Sequence, residues 1–209
     1  MCVKSFAAAV IFVMVGASAA NAATYYSSDT SQVISSHSTI TSTLVAEEGE
    51  IGDINLILSD IRHTSVADLR IALTGPNGAS AMIIDWYGGR GIFQNMATPD
   101  HFIDTVIDDQ ALVNLRDATA PHTGSFNVDR LSIQQPLSTF VGTKAGGVWT
   151  LTISDLASGD TGMLSGWGLE ITAASSVSAV PLPATGPLLL AGLAGLWGAG
   201  RARRKGASA

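Results

Sequence analysis

Trp149, Leu151 and Ile153 alternate with Thr150, Thr152 and Ser154, and after the loop Asp155 to Gly162 an apolar alternation resumes at Trp167, Leu169 and Ile171. A period of two puts each apolar set on one face of an extended strand, so the end of this chain must bury one side of two β-strands and leave the other wet. The pattern recurs upstream. Ile54, Leu56 and Leu58 alternate with Asn55 and Ser59, and Leu69, Ile71 and Leu73 alternate with Arg70, Ala72 and Thr74. Gly75-Pro76-Asn77-Gly78 is a strong turn, and Ala81 to Ile84 reads as the return strand of a hairpin. No helical periodicity of useful length separates these strands. The expected fold class is therefore all-β, a jelly-roll β-sandwich with both tryptophans facing inward on a final hairpin. Ile84 to Leu131 carries weaker signals and reads largely as loop.

Charge divides the 209 residues into a body and two ends. Lys4, Arg201, Arg203, Arg204 and Lys205 lie in the end segments, whereas all 17 Asp and Glu residues lie between residues 23 and 179, leaving that body with a formal charge of −11. Such a body repels a phosphate backbone, so nucleic acid is excluded as a partner. The single cysteine, Cys2, lies in the first segment, which leaves the body without a disulfide or a thiol nucleophile.

Both ends read as targeting segments. Lys4, an apolar run from Phe6 to Ala17 and the small residues Ala20-Asn21-Ala22 have the build of a secretory signal peptide over residues 1–22, with signal peptidase cutting between Ala22 and Ala23. At the other end 21 uncharged residues, Val180 to Gly200, precede Arg201-Ala-Arg-Arg-Lys205, a transmembrane helix with its cations on the cytoplasmic side. A permanent single-span anchor would read the same way. The motif Val180-Pro181-Leu182-Pro183-Ala184, followed by this span and basic end, closely resembles the VPLPA-CTERM sorting signal, a relative of PEP-CTERM signals of Gram-negative envelopes. That resemblance implies recognition of residues 180–205 by an exosortase-type transpeptidase, with transfer to the cell surface or extracellular matrix. The two prolines suit such a role, because they keep the site extended.

The body resembles the P domain (P/Homo B domain), through His63-Thr64, the run Asp68 to Gly78, Asp104-Thr-Val-Ile-Asp108-Asp109, Gly124-Ser-Phe126, Phe140 with Gly142, Gly147 to Asp155 and Gly159 to Leu169. The resemblance spans about residues 47–172, leaving residues 23–46 as a surface lead-in and 173–179 as a linker. It implies a jelly-roll, galactose-binding-like sandwich that in proprotein convertases follows a subtilisin-like catalytic domain, for which residues 23–46 leave no room.

Candidate chemistry is sparse. The body has no G-x-S-x-G elbow and no H-E-x-x-H pair. His63 and Asp68 are expected to hydrogen-bond the sandwich, a structural role like that of Trp149 and Trp167. Asp104, Asp108 and Asp109 on one stretch, and Asp155 and Asp160 on a Gly-rich loop, are hard oxygen ligands suited to Ca²⁺, the one candidate cofactor. The competing reading makes them turn caps. The expected function is a non-catalytic, exported module for binding, adhesion or surface structure. The alternative is an accessory that docks in trans on a subtilisin-like serine endopeptidase, and in that reading endopeptidase activity belongs to the partner.

Overall fold

Inward-facing apolar residues at every second position build two sheets in the computed structural model, which describes residues 21–29, 31–85, 100–128 and 136–174. Ten strands follow in order: β1 (Ala22–Tyr26), β2 (Gln32–Ser35), β3 (Thr39–Ala46), β4 (Ile51–His63), β5 (Leu69–Thr74), β6 (Ser80–Ile84), β7 (Asp100–Ile107), β8 (His122–Phe126), β9 (Gly147–Asp155) and β10 (Thr161–Ala173). The first sheet runs β1-β10-β4-β7-β8, with β2 also paired to β10, and the second runs β3-β9-β5-β6. The fold is a β-sandwich. Its pairs are antiparallel except β7 with β8, a parallel pair among the described strands that a purely antiparallel jelly roll would lack. None of the described residues forms a helix long and apolar enough to cross a membrane. By contacts the chain divides at residue 175, and residues 176–209 lie outside the described part.

The hairpin at Gly75 to Gly78 forms as expected, with Thr74 opposite Ser80 and Gly75 N–H donating to the Ala79 carbonyl (2.8 Å). The final hairpin does not. Both edges of β9 are taken, by β3 and β5, so β10 has no edge to pair with and crosses to the other sheet. Trp149 and Trp167 consequently sit on different sheets, both fully buried. Trp149 meets Phe140 edge to face at 4.9 Å and donates from Nε1 to the Ala145 carbonyl (2.8 Å).

The presumed lead-in is also corrected. Residues 22–46 supply three strands, and β3 pairs with β9 along eight residues from Thr39 opposite Ser154 to Ala46 opposite Gly147. Its inward positions include Ser42, fully buried, which breaks the apolar alternation that would have marked a core strand. The hydroxyl is there to serve Trp167, whose Nε1 donates to Ser42 Oγ at 2.6 Å. Ser42 Oγ also lies 3.0 Å from Ser27 Oγ, and both hydroxyls donate to Asp29 Oδ1. Asp29 Oδ2 accepts from the Thr43 amide (3.2 Å) and Gln32 Nε2 (3.1 Å).

Burial pushes the Asp29 carboxyl up, but the bonds from Ser27, Ser42 and the Thr43 amide outweigh it and hold the group below its ordinary 3.8. A depressed carboxylate contributes stability that is complete above the unfolded-state value and is lost as pH falls through the folded-state value. Melting temperatures from pH 7 down to 2 should therefore place Asp29→Asn below the wild type at pH 7. The gap should close in acid. A gap independent of pH would remove the charge from this network.

Strand β7 lies in the stretch expected to be loop. Phe102, Thr105 and Ile107 point inward, and the spacing of three between the first two marks an extra residue in the strand. Asp104 takes it up in a left-handed conformation (φ 48°), where the register to β8 also shifts. A bulge of this kind erases the period-two signal.

Candidate functional site

Three connections cross between the sheets at one end of the sandwich, and they gather most of the polar residues singled out above. Residues 64–68 join β4 to β5, residues 156–160 join β9 to β10, and residues 36–38 join β2 to β3. Each is short. Their backbone groups must find partners in one another, because no ladder continues across the gap. Thr64 N–H donates to the Thr161 carbonyl (3.2 Å), Leu156 N–H to that of Asp68 (3.0 Å) and Asp155 N–H to that of Ser38 (2.9 Å). Ser36 Oγ donates to the Asp160 carbonyl at 2.7 Å.

His63 closes β4 and Asp155 closes β9, and their side chains are both 0% exposed beneath this corner. His63 Nε2 lies 3.3 Å from Asp155 Oδ2, an ion-pair distance that lacks hydrogen-bond alignment. The ring is fixed from its other side, where Nδ1 lies 2.6 Å from the Ser65 carbonyl and 3.1 Å from the Ser65 amide. Asp155 Oδ1 accepts from the Ala157 amide (3.0 Å) and so caps the turn into β10. Gly162 lies against His63. A Cβ there would collide with the Arg62 carbonyl and the His63 ring, so the strand can approach only without a side chain.

The corner joins His63 and Asp68, expected to be structural, to Asp155 and Asp160, candidate calcium ligands. Asp160 Oδ1 accepts from Thr64 Oγ1 (2.6 Å). Burial pushes the Asp68 carboxyl up, and the neighbouring carboxylates of Asp160 and Asp155 push it further, against a hydrogen bond from Ser65. Here the sheets are clasped. A sealed imidazole has no path to a substrate, so the arrangement positions strands rather than reacting atoms.

Asp104, Asp108 and Asp109 lie elsewhere. Asp104 is exposed on the bulge of β7. Asp108 Oδ1 accepts from the Gln110 amide (2.7 Å), and Asp109 accepts from the amides of Leu137 (3.2 Å) and Ser138 (2.8 Å), capping the 3₁₀ turn Leu137–Phe140. The five aspartates thus do not gather at one point, since Asp155 and Asp160 share the corner while the other three lie elsewhere, and four of the five already bond amides or hydroxyls. Among the described residues no group of three or more His, Cys, Asp or Glu side chains is placed to hold a metal ion, so the set does not fit one calcium site.

Ala22 and Ala23 begin β1, opposite Thr172 and Ile171. Val180, Pro181, Leu182, Pro183 and Ala184 lie outside the described residues, as do residues 1–20. Sequence reasoning missed Ser27, Asp29 and Ser42. A serine breaking the alternation opposite a core tryptophan was the available signal.

Fold and corner together define a β-sandwich module whose buried polar groups tie strands to one another. Residues 111–171, which hold β8, β9 and nearly all of β10, match the family model of the proprotein convertase P-domain. No curated protein matches the chain. Among solved structures it is similar to the serine protease of Aeromonas sobria (16% identity, 77% of this chain and 28% of that one, TM-score 0.43). It is also similar to that protease in complex with its chaperone ORF2 (16% identity, 76% and 27%, TM-score 0.41). A third similar structure is a beta-porphyranase of glycoside hydrolase family 86 from Bacteroides plebeius (15% identity, 75% and 21%, TM-score 0.41). The chain spans roughly a quarter of the length of these structures.

Proposed function

We propose that this chain is exported through a cleaved signal peptide, sorted to the envelope by its C-terminal motif, and works there as a non-catalytic P-domain module in binding, adhesion or surface architecture. The observation that carries the reading is the P-domain match over residues 111–171, on a sandwich whose His63 and Asp155 are sealed beneath its crossovers. Docking in trans on a subtilisin-like protease calls for one contiguous apolar flank. Among the described residues the exposed apolar side chains are instead spread over both sheets and two loops: Val33 (58%) pairs with Met163 (40%) on the first sheet, which also carries Tyr26, and Val45 (69%) with Val148 (54%) on the second, while Leu112 and Val113 follow β7 and Val141 follows the 3₁₀ turn. This distribution favours a free-standing module.

Sorting is tested in the motif itself. Pro181→Ala with Pro183→Ala should leave export intact but hold the chain in the membrane fraction with its basic end, because a recognition site that is no longer kept extended fits the transpeptidase poorly. Unchanged release to the cell surface would remove the motif from the account.

A further inference from the structure

At the end of the sandwich opposite the His63 corner, a cavity of about 170 Å³ lies beside the crossover from β3 to β4. Tyr25, Ile171 and Ala145 supply apolar lining, and Glu47, Glu48 and Glu50, exposed residues on the connection from β3 to β4, form an acidic rim. Ala23 lines the same cavity. Among the described residues no cation forms an ion pair with any of the three glutamates. Lys144, whose backbone bridges to that of Glu50, does not pair with them either. An acidic cavity with apolar lining and no cation suits an ammonium group borne on a short apolar residue.

We propose that this cavity seats the α-ammonium group of Ala23, created when the chain is cut after Ala22; the inference rests on the processing at Ala22 proposed above. Cleavage adds water across the Ala22–Ala23 peptide bond, leaving a carboxylate on Ala22 and an ammonium on Ala23. The neutral amide of a residue that lines the cavity thereby becomes a cation. The new end is already held in place, since Ala23 pairs with Ile171 and the ladder continues to Tyr26 opposite Gly168. Tyr25 packs on the core, and the Tyr26 ring lies where a Cβ on Gly168 would sit. The cut removes the bond from the Ala173 amide to the Asn21 carbonyl (3.1 Å), and the ammonium replaces that tie with one to the rim. Other charges near this end are Glu170, opposite Thr24, and Asp53, opposite Thr172, both alternating with Ile171 and so directed to the outer face of the sheet. Tyr25 contributes the remaining titratable group. Removal of the leader would then lock β1 to the loop that starts β4, making processing the last step of assembly.

The test uses the chain from Ala23 to Ala209 in detergent, its first residue freed in vitro from a removable tag. An amine-reactive acylating reagent labels only the neutral amine, and mapping the N-terminal peptide by mass separates this site from the lysines. Seating among carboxylates raises the α-amino pKa above its usual value near 8, and each unit slows labelling about tenfold at pH 7. The folded chain should label about tenfold more slowly than a free peptide of residues 23–26. Glu47→Gln with Glu48→Gln and Glu50→Gln should restore the peptide rate, and molar sodium chloride should move the unmutated chain towards it. A slow rate unchanged by both salt and the glutamine variant would mean steric shielding and overturn the proposal, as would a rate equal to the peptide's from the outset. An exported chain that begins at another residue would overturn the cut while leaving the labelling result to stand for the cavity.

Discussion

Trp149→Ala and Trp167→Ala are each expected to cost about 3–5 kcal/mol, the usual loss for truncating a buried aromatic. Both side chains are fully enclosed, one on each sheet, so neither cavity can relax into solvent. A ring of this size removes about 150–250 Å² from water, which at about 25 cal/mol per Å² gives an upper figure of the same order. The total stability of a domain is about 5–15 kcal/mol, so either variant should lose a large part of its urea resistance. Trp167→Phe separates packing from polarity: it keeps most of the ring but removes the donor to Ser42, and about 1 kcal/mol should go with that bond. Single alanine variants that both keep the wild-type urea midpoint would contradict the two-sheet core.

Asp155→Ala is expected to be about as damaging, at about 3–5 kcal/mol, because it removes one partner of a fully buried pair, leaving the His63 ring without the carboxylate beside it and the Ala157 amide without its cap. Here the sign of a double substitution is informative. Replacing both partners, with His63→Leu and Asp155→Leu, removes the stranded group and should recover much of the loss, so the two single effects should sum to more than the double. Strict additivity, measured by urea unfolding of the four chains, would mean that the residues act separately as turn caps.

Where the alternation was clean, the strands were legible. Leu69, Ile71 and Leu73 on β5, and the set led by Trp149 on β9, lie where the period of two puts them. What failed was connection rather than conformation. Nothing in Asp155 to Gly162 distinguishes a hairpin turn from a crossover, because the difference lies in whether β9 has a free edge, and that is set by strands more than 70 residues upstream. β3 and β7 were hidden for a second reason, since a buried serine and a bulge each break the pattern that marks a strand. Of the polar set, the turn-cap reading of Asp108 and Asp109 holds, whereas the assembly of His63, Asp68, Asp155 and Asp160 into one corner depends on which strands end together. The acidic cavity was illegible because Ala23 and the three glutamates meet only once β1 is an edge strand beside β10.

The central claim is an exported chain, processed at both ends, with the sandwich as its working part. Intact-mass measurement of the protein recovered from the cell-surface and medium fractions tests it most directly. The account predicts a chain that begins at Ala23 and lacks the cluster Arg201 to Lys205. Full-length chain from Met1 to Ala209 in the cytoplasmic fraction, with none at the surface, would contradict it.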